Sequence, residues 1–233
     1  MFVDTHCHLY KEYYDDIEKI IQNSKNNGIN ICINAGCDKS TNEEVLSIKN
    51  DSIYAVIGYH PEFANDITEE DISLLEKKLN NSNVIGIGEI GLDYHYDGFN
   101  KEKQITVFEK QLSLAEKYNL PVVVHSRDAG YDAINILKKY KVMGVIHSFS
   151  GSLEMAKEYS NPERKELDMV FQFKLMDIDG VRSGNWEPKA YTLPQLKTIM
   201  ESWQTGLDEI GWNSLFWGNH DYPRAISRFG NDT

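Results

Sequence analysis

Residues 83–91 read NVIGIGEIG, an apolar run with no regular polar alternation that closes on a carboxylate, Glu89. A strand apolar on both faces has to be covered on both faces, the condition met by a parallel sheet between helices. Seven further runs share this character: FVDTH from Phe2, INICINAG from Ile29, IYAVIGYH from Ile53, LPVVVHS from Leu120, VMGVIHSFS from Val142, LDMVFQF from Leu167 and SLFWGNHD from Ser214. The stretches between them carry helix signals. Tyr13, Ile17, Ile20 and Ile21 lie at helical spacing, Thr41 with Glu44 has the form of a capping box, and Ile105, Phe108, Leu112 and Ala115 make one stripe. Thr192 and Pro194 open a helix whose Leu196, Ile199, Met200 and Trp203 face inward. About eight strand and helix units in 233 residues predict an α/β fold, a (β/α)8 TIM-type barrel. Only twelve residues follow Asp221, too few for a full closing helix, so the barrel is read as incomplete or composite.

Composition narrows the function. Asp and Glu number 36 against 24 Lys and Arg, a net charge of −12, which argues against a partner held only by a basic surface. A hydrophobic fraction of 41% can supply a core. No apolar run approaches the roughly 18 residues of a membrane span, and the start MFVDTHCHLY lacks a signal-peptide layout. Three cysteines, Cys7, Cys32 and Cys37, fit a reduced compartment better than a disulfide framework. A cytoplasmic chain without a membrane partner is expected.

The ionisable residues cluster at the carboxyl ends of the predicted strands, where barrel chemistry resides. His6 and His8 are two residues apart, so the strand period puts both imidazoles on one face. Glu89 ends the fourth run, His125 the fifth and His147 the sixth. Four imidazoles and a carboxylate suit borderline divalent metals, and the carboxylate has two oxygens with which to bridge a pair of ions. Such a pair can run a phosphoryl displacement.

DTHCHL, GYHPE, GEIGLDYH, LPVVVHSRDA and GVIHSFSG, in this order, resemble the TatD family of metal-dependent deoxyribonucleases, from residue 1 to about 159. The resemblance implies an enzyme that cleaves phosphodiester bonds of DNA with two divalent ions of the magnesium, manganese or zinc class. It implies that His6 and His8 bind one ion, Glu89 bridges, and His125 and His147 bind the second. Arg127 and His60 match motif positions near the site and are expected to contact substrate, Arg127 through a phosphate.

The resemblance ends before the chain does. The family closes its barrel with an aspartate in a TD-S-P type motif, and no such motif occurs here. From about Asn161 the sequence instead resembles bacterial alpha-glucosidases of the alpha-amylase superfamily, oligo-1,6-glucosidase type, through ERKELDMVFQF and the stretch from LPQLKTIMESW to NHDYPRAISRFGND. All four tryptophans lie in this part, and six of seven histidines precede position 148. Two portions are therefore expected: 1–160, a TatD-like hydrolase barrel portion, and 161–233, an alpha-glucosidase-like barrel fragment. By the second resemblance His220 and Asp221 would contact a sugar ring, but both carboxylate motifs that a retaining glycosidase needs are missing. Strand counting offers Asp221, with His220 as a substrate contact, as a stand-in for the missing catalytic aspartate. Two other readings stand beside the nuclease: a chimeric chain of little activity, because two unrelated sheets need not share a barrel shear, and a carbohydrate-acting protein built on the tryptophan-rich end.

Overall fold

A computed structural model describes residues 2–160, 169–172, 174–175, 178 and 190–213. The chain packs as two compact units, Met1–Gly144 and Val145–Thr233. This division by packing differs from the boundary near residue 160 that the sequence leads one to expect.

The first unit alternates strand and helix: β1 (Phe2–Cys7), α1 (Ile17–Asn26), β2 (Ile29–Ala35), α2 (Lys39–Ser47), β3 (Ile53–Ile57), a 3-10 turn (Pro61–Asp66), α3 (Glu69–Lys78), β4 (Val84–Asp93), α4 (Lys101–Tyr118), β5 (Val122–Arg127) and α5 (Gly130–Leu137). The strands pair in parallel in the order β1-β2-β3-β4-β5. The alternation follows from residue choice. Helices begin at side-chain caps: Asp16 accepts from the Lys19 N–H, Thr68 and Asp71 form a capping box, and Asn100 accepts from the Lys103 N–H. Strand β4 is buried along almost its whole length, and Ile53, Ile57, Ile87, Ile90, Leu92, Phe108 and Leu112 have 2% exposure or less. Each such side chain contributes about 1.5–3 kcal/mol by leaving water.

The second unit holds β6 (Gly144–Phe149, its first residue in the first unit), α6 (Leu153–Tyr159), β7 (Met169–Gln172), α7 (Leu193–Gly206) and β8 (Trp212–Asn213). Strands β6, β7 and β8 pair in parallel in that order. Helix α7 starts at a capping box of Thr192 and Gln195 and carries Trp203 inward, its ring edge-on to Phe149 at 6.2 Å. Trp203 is thus a core residue, as its place on the apolar stripe implies.

Parallel β/α repeats of the TIM-barrel class are what the eight apolar runs predict. Local details differ. Asp38, rather than Thr41, caps α2, with Thr41 answering as its third residue; an aspartate one turn earlier takes the orphan N–H groups first. Tyr13 lies outside α1 and is 60% exposed, because Asp16 starts the helix after it. Strand β4 runs on past Glu89 to Asp93, since Gly91, Leu92 and Asp93 still pair with His125, Ser126 and Arg127 of β5. Strand β8 begins at Trp212; the run from Ser214, with Trp217, His220 and Asp221, lies outside the described residues, as does Trp186.

Candidate metal centre

Two of the ligand-type residues sit where the strand ladder is irregular. The β1–β2 register shifts between Asp4 and Cys7, around His6, and the β4–β5 register shifts between Ile87 and Ile90, around Glu89. Irregularities of this kind turn a side chain out of the strict up-and-down alternation and recur beside functional sites. The Glu89 N–H donates to the carbonyl of Gly36, at the end of β2, rather than along its own ladder.

The turned side chains meet. His6 Nε2 lies 3.0 Å from Glu89 Oε1, His8 Nε2 lies 3.4 Å from the same oxygen, and the two Nε2 atoms are 3.2 Å apart. Donors 2.0–2.1 Å from one ion are about 3.4 Å apart in a tetrahedral shell and about 3.0 Å apart in an octahedral one. The three distances fall on those edges, so the residues fit a divalent ion. Glu89 is only 4% exposed, and a buried carboxylate calls for positive charge beside it. His8 shows that demand: burial would lower its pKa, but hydrogen bonds to Cys37 and Glu89 and their charges lift it to about 10.

A second group shares the same acid. One ring nitrogen each of His60 and His125 lies within 4.8 Å of a Glu89 oxygen and of the other, and the two rings stand edge-on at 4.3 Å. Burial, then the neighbouring His125, push His60 down to about 4, against the pull of Glu89 and Asp93. His60 is therefore neutral at neutral pH and keeps a nitrogen lone pair. The His125 ring is held by Asp93, whose Oδ2 lies 2.9 Å from Nε2. Burial would raise the Asp93 pKa, but hydrogen bonds from His125 and the His95 backbone outweigh it and hold it below the usual carboxylate value.

Four buried amide side chains fix the segments that carry these groups, each by closing a two-bond ring on one backbone residue. Asn34 accepts from Leu9 N–H at 2.8 Å and donates to the Leu9 carbonyl, just beyond His8. Asn42 does the same for Gly58, and Gln111 for Tyr59, so the two residues before His60 are clamped from α2 and from α4. Gln104 clamps Asp93 in the same way, at 2.9 Å for both bonds. Loop backbone that would otherwise be buried without partners is satisfied. Asn34, Asn42, Gln104 and Gln111 escape a reading by motif, because polar residues on apolar stripes carry no label of their partner; a buried-amide position on an otherwise apolar helix face, as at Gln104 and Gln111, is the one signal the sequence offers, whereas Asp93 stands within the GEIGLDYH motif itself.

The remaining predicted residues are placed as follows. Arg127 ends β5, its guanidinium carbon 5.2 Å from the centre of the Tyr96 ring and Nη1 donating to the Tyr96 hydroxyl at 3.2 Å. His147 stands on β6, in the second unit, with Ser148 Oγ 2.9 Å from its Nε2. Asp221 and His220 lie outside the described residues.

Comparison with known proteins gives two kinds of match. A family model described as TatD related DNase matches residues 3–164, and one described as alpha amylase, catalytic domain, matches residues 118–233. The uncharacterized metal-dependent hydrolase YabD of Bacillus subtilis (strain 168) is 41% identical over 164 residues, 68% of this chain and 64% of that protein. The oligo-1,6-glucosidase of Bacillus cereus is 48% identical over 97 residues, 42% of this chain and 17% of that protein. The chain thus spans less than two thirds of either relative. The crystal structure of YJJV, a TatD homolog from Escherichia coli K12, superposes with a TM-score of 0.68 over 90% of this chain and 93% of that one at 23% identity, which shows a shared fold. The sequence is composite, and with residues 3–164 matched by the TatD related DNase model, the chain belongs to that family.

Proposed function

We propose that this protein is a metal-dependent hydrolase that cleaves phosphodiester bonds in DNA. The observation that carries the reading is Glu89, one buried carboxylate with His6 and His8 against it and His60 and His125 grouped on it as well. Two divalent ions of the magnesium, manganese or zinc class, bound there, supply the Lewis acidity that an in-line phosphoryl displacement requires. His6 and His8 would hold the first ion, Glu89 would serve both, and His125, its ring oriented by Asp93, would hold the second. His147 joins His125 on the strength of the family resemblance. Arg127 presents a planar fork to a substrate phosphate, and its hydrogen bond to the Tyr96 hydroxyl, with the guanidinium carbon 5.2 Å from that ring's centre, holds it in place. His60, neutral and beside His125, offers the substrate a hydrogen bond. Asp221, with His220, takes the part of the closing aspartate as proton acceptor. An acidic chain can do this because ions at the site provide the positive charge that its surface lacks. Cys7, Cys32 and Cys37 are all free thiols, which supports the reducing cytoplasm as the compartment; no helix of the described residues is long and apolar enough to cross a membrane.

The test is release of nucleotides from a single-stranded oligonucleotide by protein reloaded with manganese, magnesium or zinc. Turnover lost with chelator and lost in His125→Ala is expected. Elemental analysis showing bound ions in a protein without diesterase turnover would overturn the reading. Unchanged metal content and turnover in Asp221→Asn would remove Asp221 from it. The match to oligo-1,6-glucosidases favours one alternative, sugar binding by the second segment. Titration calorimetry with maltose or isomaltose decides it, and absence of heat disposes of it.

A further inference from the structure

Just past the end of β2 stands a thiol that hydrogen-bonds the metal ligand His8 and that the clamping amides do not touch. Cys37 lies between Ala35, the last residue of β2, and Asp38, the cap of α2. Its backbone is pinned on both sides: its N–H donates to Thr41 Oγ1 at 2.9 Å, and its carbonyl accepts from the His60 N–H at 2.8 Å. The side chain is placed as firmly. Its sulfur lies 3.6 Å from the Tyr10 hydroxyl, which also donates to the Ala35 carbonyl and stands 2.9 Å from His8 Nδ1. Sulfur, a His8 ring nitrogen and a Glu89 oxygen all lie within 4.8 Å of one another. Cys7, by contrast, has its sulfur on the Ile33 carbonyl, and Cys32 is packed in an apolar cluster with Leu9, Ile21 and Ile53.

We propose that Cys37 donates its sulfur to the ion held by His6, His8 and Glu89, completing a four-donor site of two nitrogens, one oxygen and one sulfur. The inference rests on the metal centre proposed above and deepens it. A thiolate at about 2.3 Å is a soft ligand, which favours zinc or cobalt over the hard ions magnesium and manganese. The His60, Glu89 and His125 group contains no sulfur, so the two positions differ in the metal they select. On binding, the thiol proton is released to solvent and the sulfur–metal bond forms; no oxidant or reductant takes part.

The experiment uses cobalt as probe. Chelator-stripped protein receives one equivalent of cobalt(II), and its absorption is recorded in the visible, where bound cobalt shows itself, and in the near ultraviolet, where sulfur-to-cobalt charge transfer appears. Wild-type protein is expected to show both; Cys37→Ser keeps the visible bands and loses the ultraviolet one. Zinc affinity in that variant falls by about tenfold or more, the floor set by losses of outer-sphere partners, while manganese affinity holds. A Cys7→Ser/Cys32→Ser double variant retains the ultraviolet band, which keeps the test decisive should Cys37→Ser fail to fold. Visible bands without charge transfer in the wild type would overturn the role of Cys37 and leave the metal centre standing. A band that survives Cys37→Ser, or that the double variant loses, would also overturn it. No cobalt absorption at all would sink the metal centre and the Cys37 ligand together.

Discussion

Replacing Gly91 by alanine tests how closely the backbones of β4 and β5 approach each other. Gly91 has φ +142°, and a Cβ there would stand 2.0 Å from the carbonyl oxygen of His125, with the His125 carbonyl carbon and nitrogen at 3.0 and 3.1 Å. Two costs add. An L side chain at this φ is held in a region otherwise open only to glycine, about 1–3 kcal/mol. The overlap with a backbone oxygen cannot be relieved by a rotamer change, so the strands have to separate locally, and overpacking of this kind costs about 1–3 kcal/mol more. The sum, about 2–6 kcal/mol, is a large share of the ordinary 5–15 kcal/mol of a folded domain. Gly98 supplies the control: φ is +84°, but no atom lies within 4 Å of the point a Cβ would occupy, so Gly98→Ala carries conformational strain alone. Urea unfolding followed by tryptophan and tyrosine fluorescence should show Gly91→Ala less stable than Gly98→Ala by about 1–3 kcal/mol, the steric part. Because the oxygen belongs to His125, zinc affinity should fall in the first variant and hold in the second. Equal stabilities for the two variants would refute the close approach.

Other consequences follow from single contacts. Gln111→Ala removes the partner of both the N–H and the carbonyl of buried Tyr59 and should cost about 2–4 kcal/mol in the same assay, since each orphaned group carries its own desolvation penalty; a loss below about 1 kcal/mol would mean that water replaces the amide. Asp93→Asn leaves a hydrogen bond to His125 possible but removes the charge behind it, and should weaken metal binding about 10- to 100-fold by titration with a chromophoric chelator; unchanged affinity would reduce Asp93 to a structural residue. Asp71 is the pH probe. Burial alone would raise its pKa, yet hydrogen bonds from Thr68 and Lys39, with the Lys39 charge 2.9 Å away, bring it to about 2. A carboxyl lowered in the folded state stabilises above its unfolded value near 3.9 and loses that contribution as pH falls from about 4 to 2. With half of the Lys39 side chain in water, about 1–2 kcal/mol is expected. Melting scans should show Asp71→Asn less stable than wild type at pH 6 by that amount and equal to it near pH 2; a constant gap would assign the effect to packing.

The buried strands are legible in the sequence because burial on both faces leaves an unbroken apolar run, as in β4; β1 departs from this, with Phe2 69% and Val3 44% exposed. The pairing of His6 with His8 is legible for a local reason as well: a period of two puts alternate side chains on one face, and the two Nε2 atoms are 3.2 Å apart. Boundaries set by competition are not. Asp38 wins the cap of α2 from Thr41, and β4 outruns Glu89 because the partner strand continues to Arg127. The clamping amides are hidden for a further reason. Gln111 and Tyr59 are 52 positions apart, and nothing about a glutamine on a helix names the peptide it will satisfy.

By itself the amino-acid order determines that this chain makes parallel β/α repeats and that imidazoles and a carboxylate stand late in its strands, since both follow from periodicity and from what a buried strand can contain. Tertiary structure alone decides which of those groups meet. Glu89 lies 81 positions from His8 and 36 from His125, separations over which only the pairing of β1 to β5 brings residues together. The same pairing brings Asp93 of β4, and Cys37 just past the end of β2, beside these groups, because what a side chain meets is defined by the atoms across from it and those atoms belong to other strands.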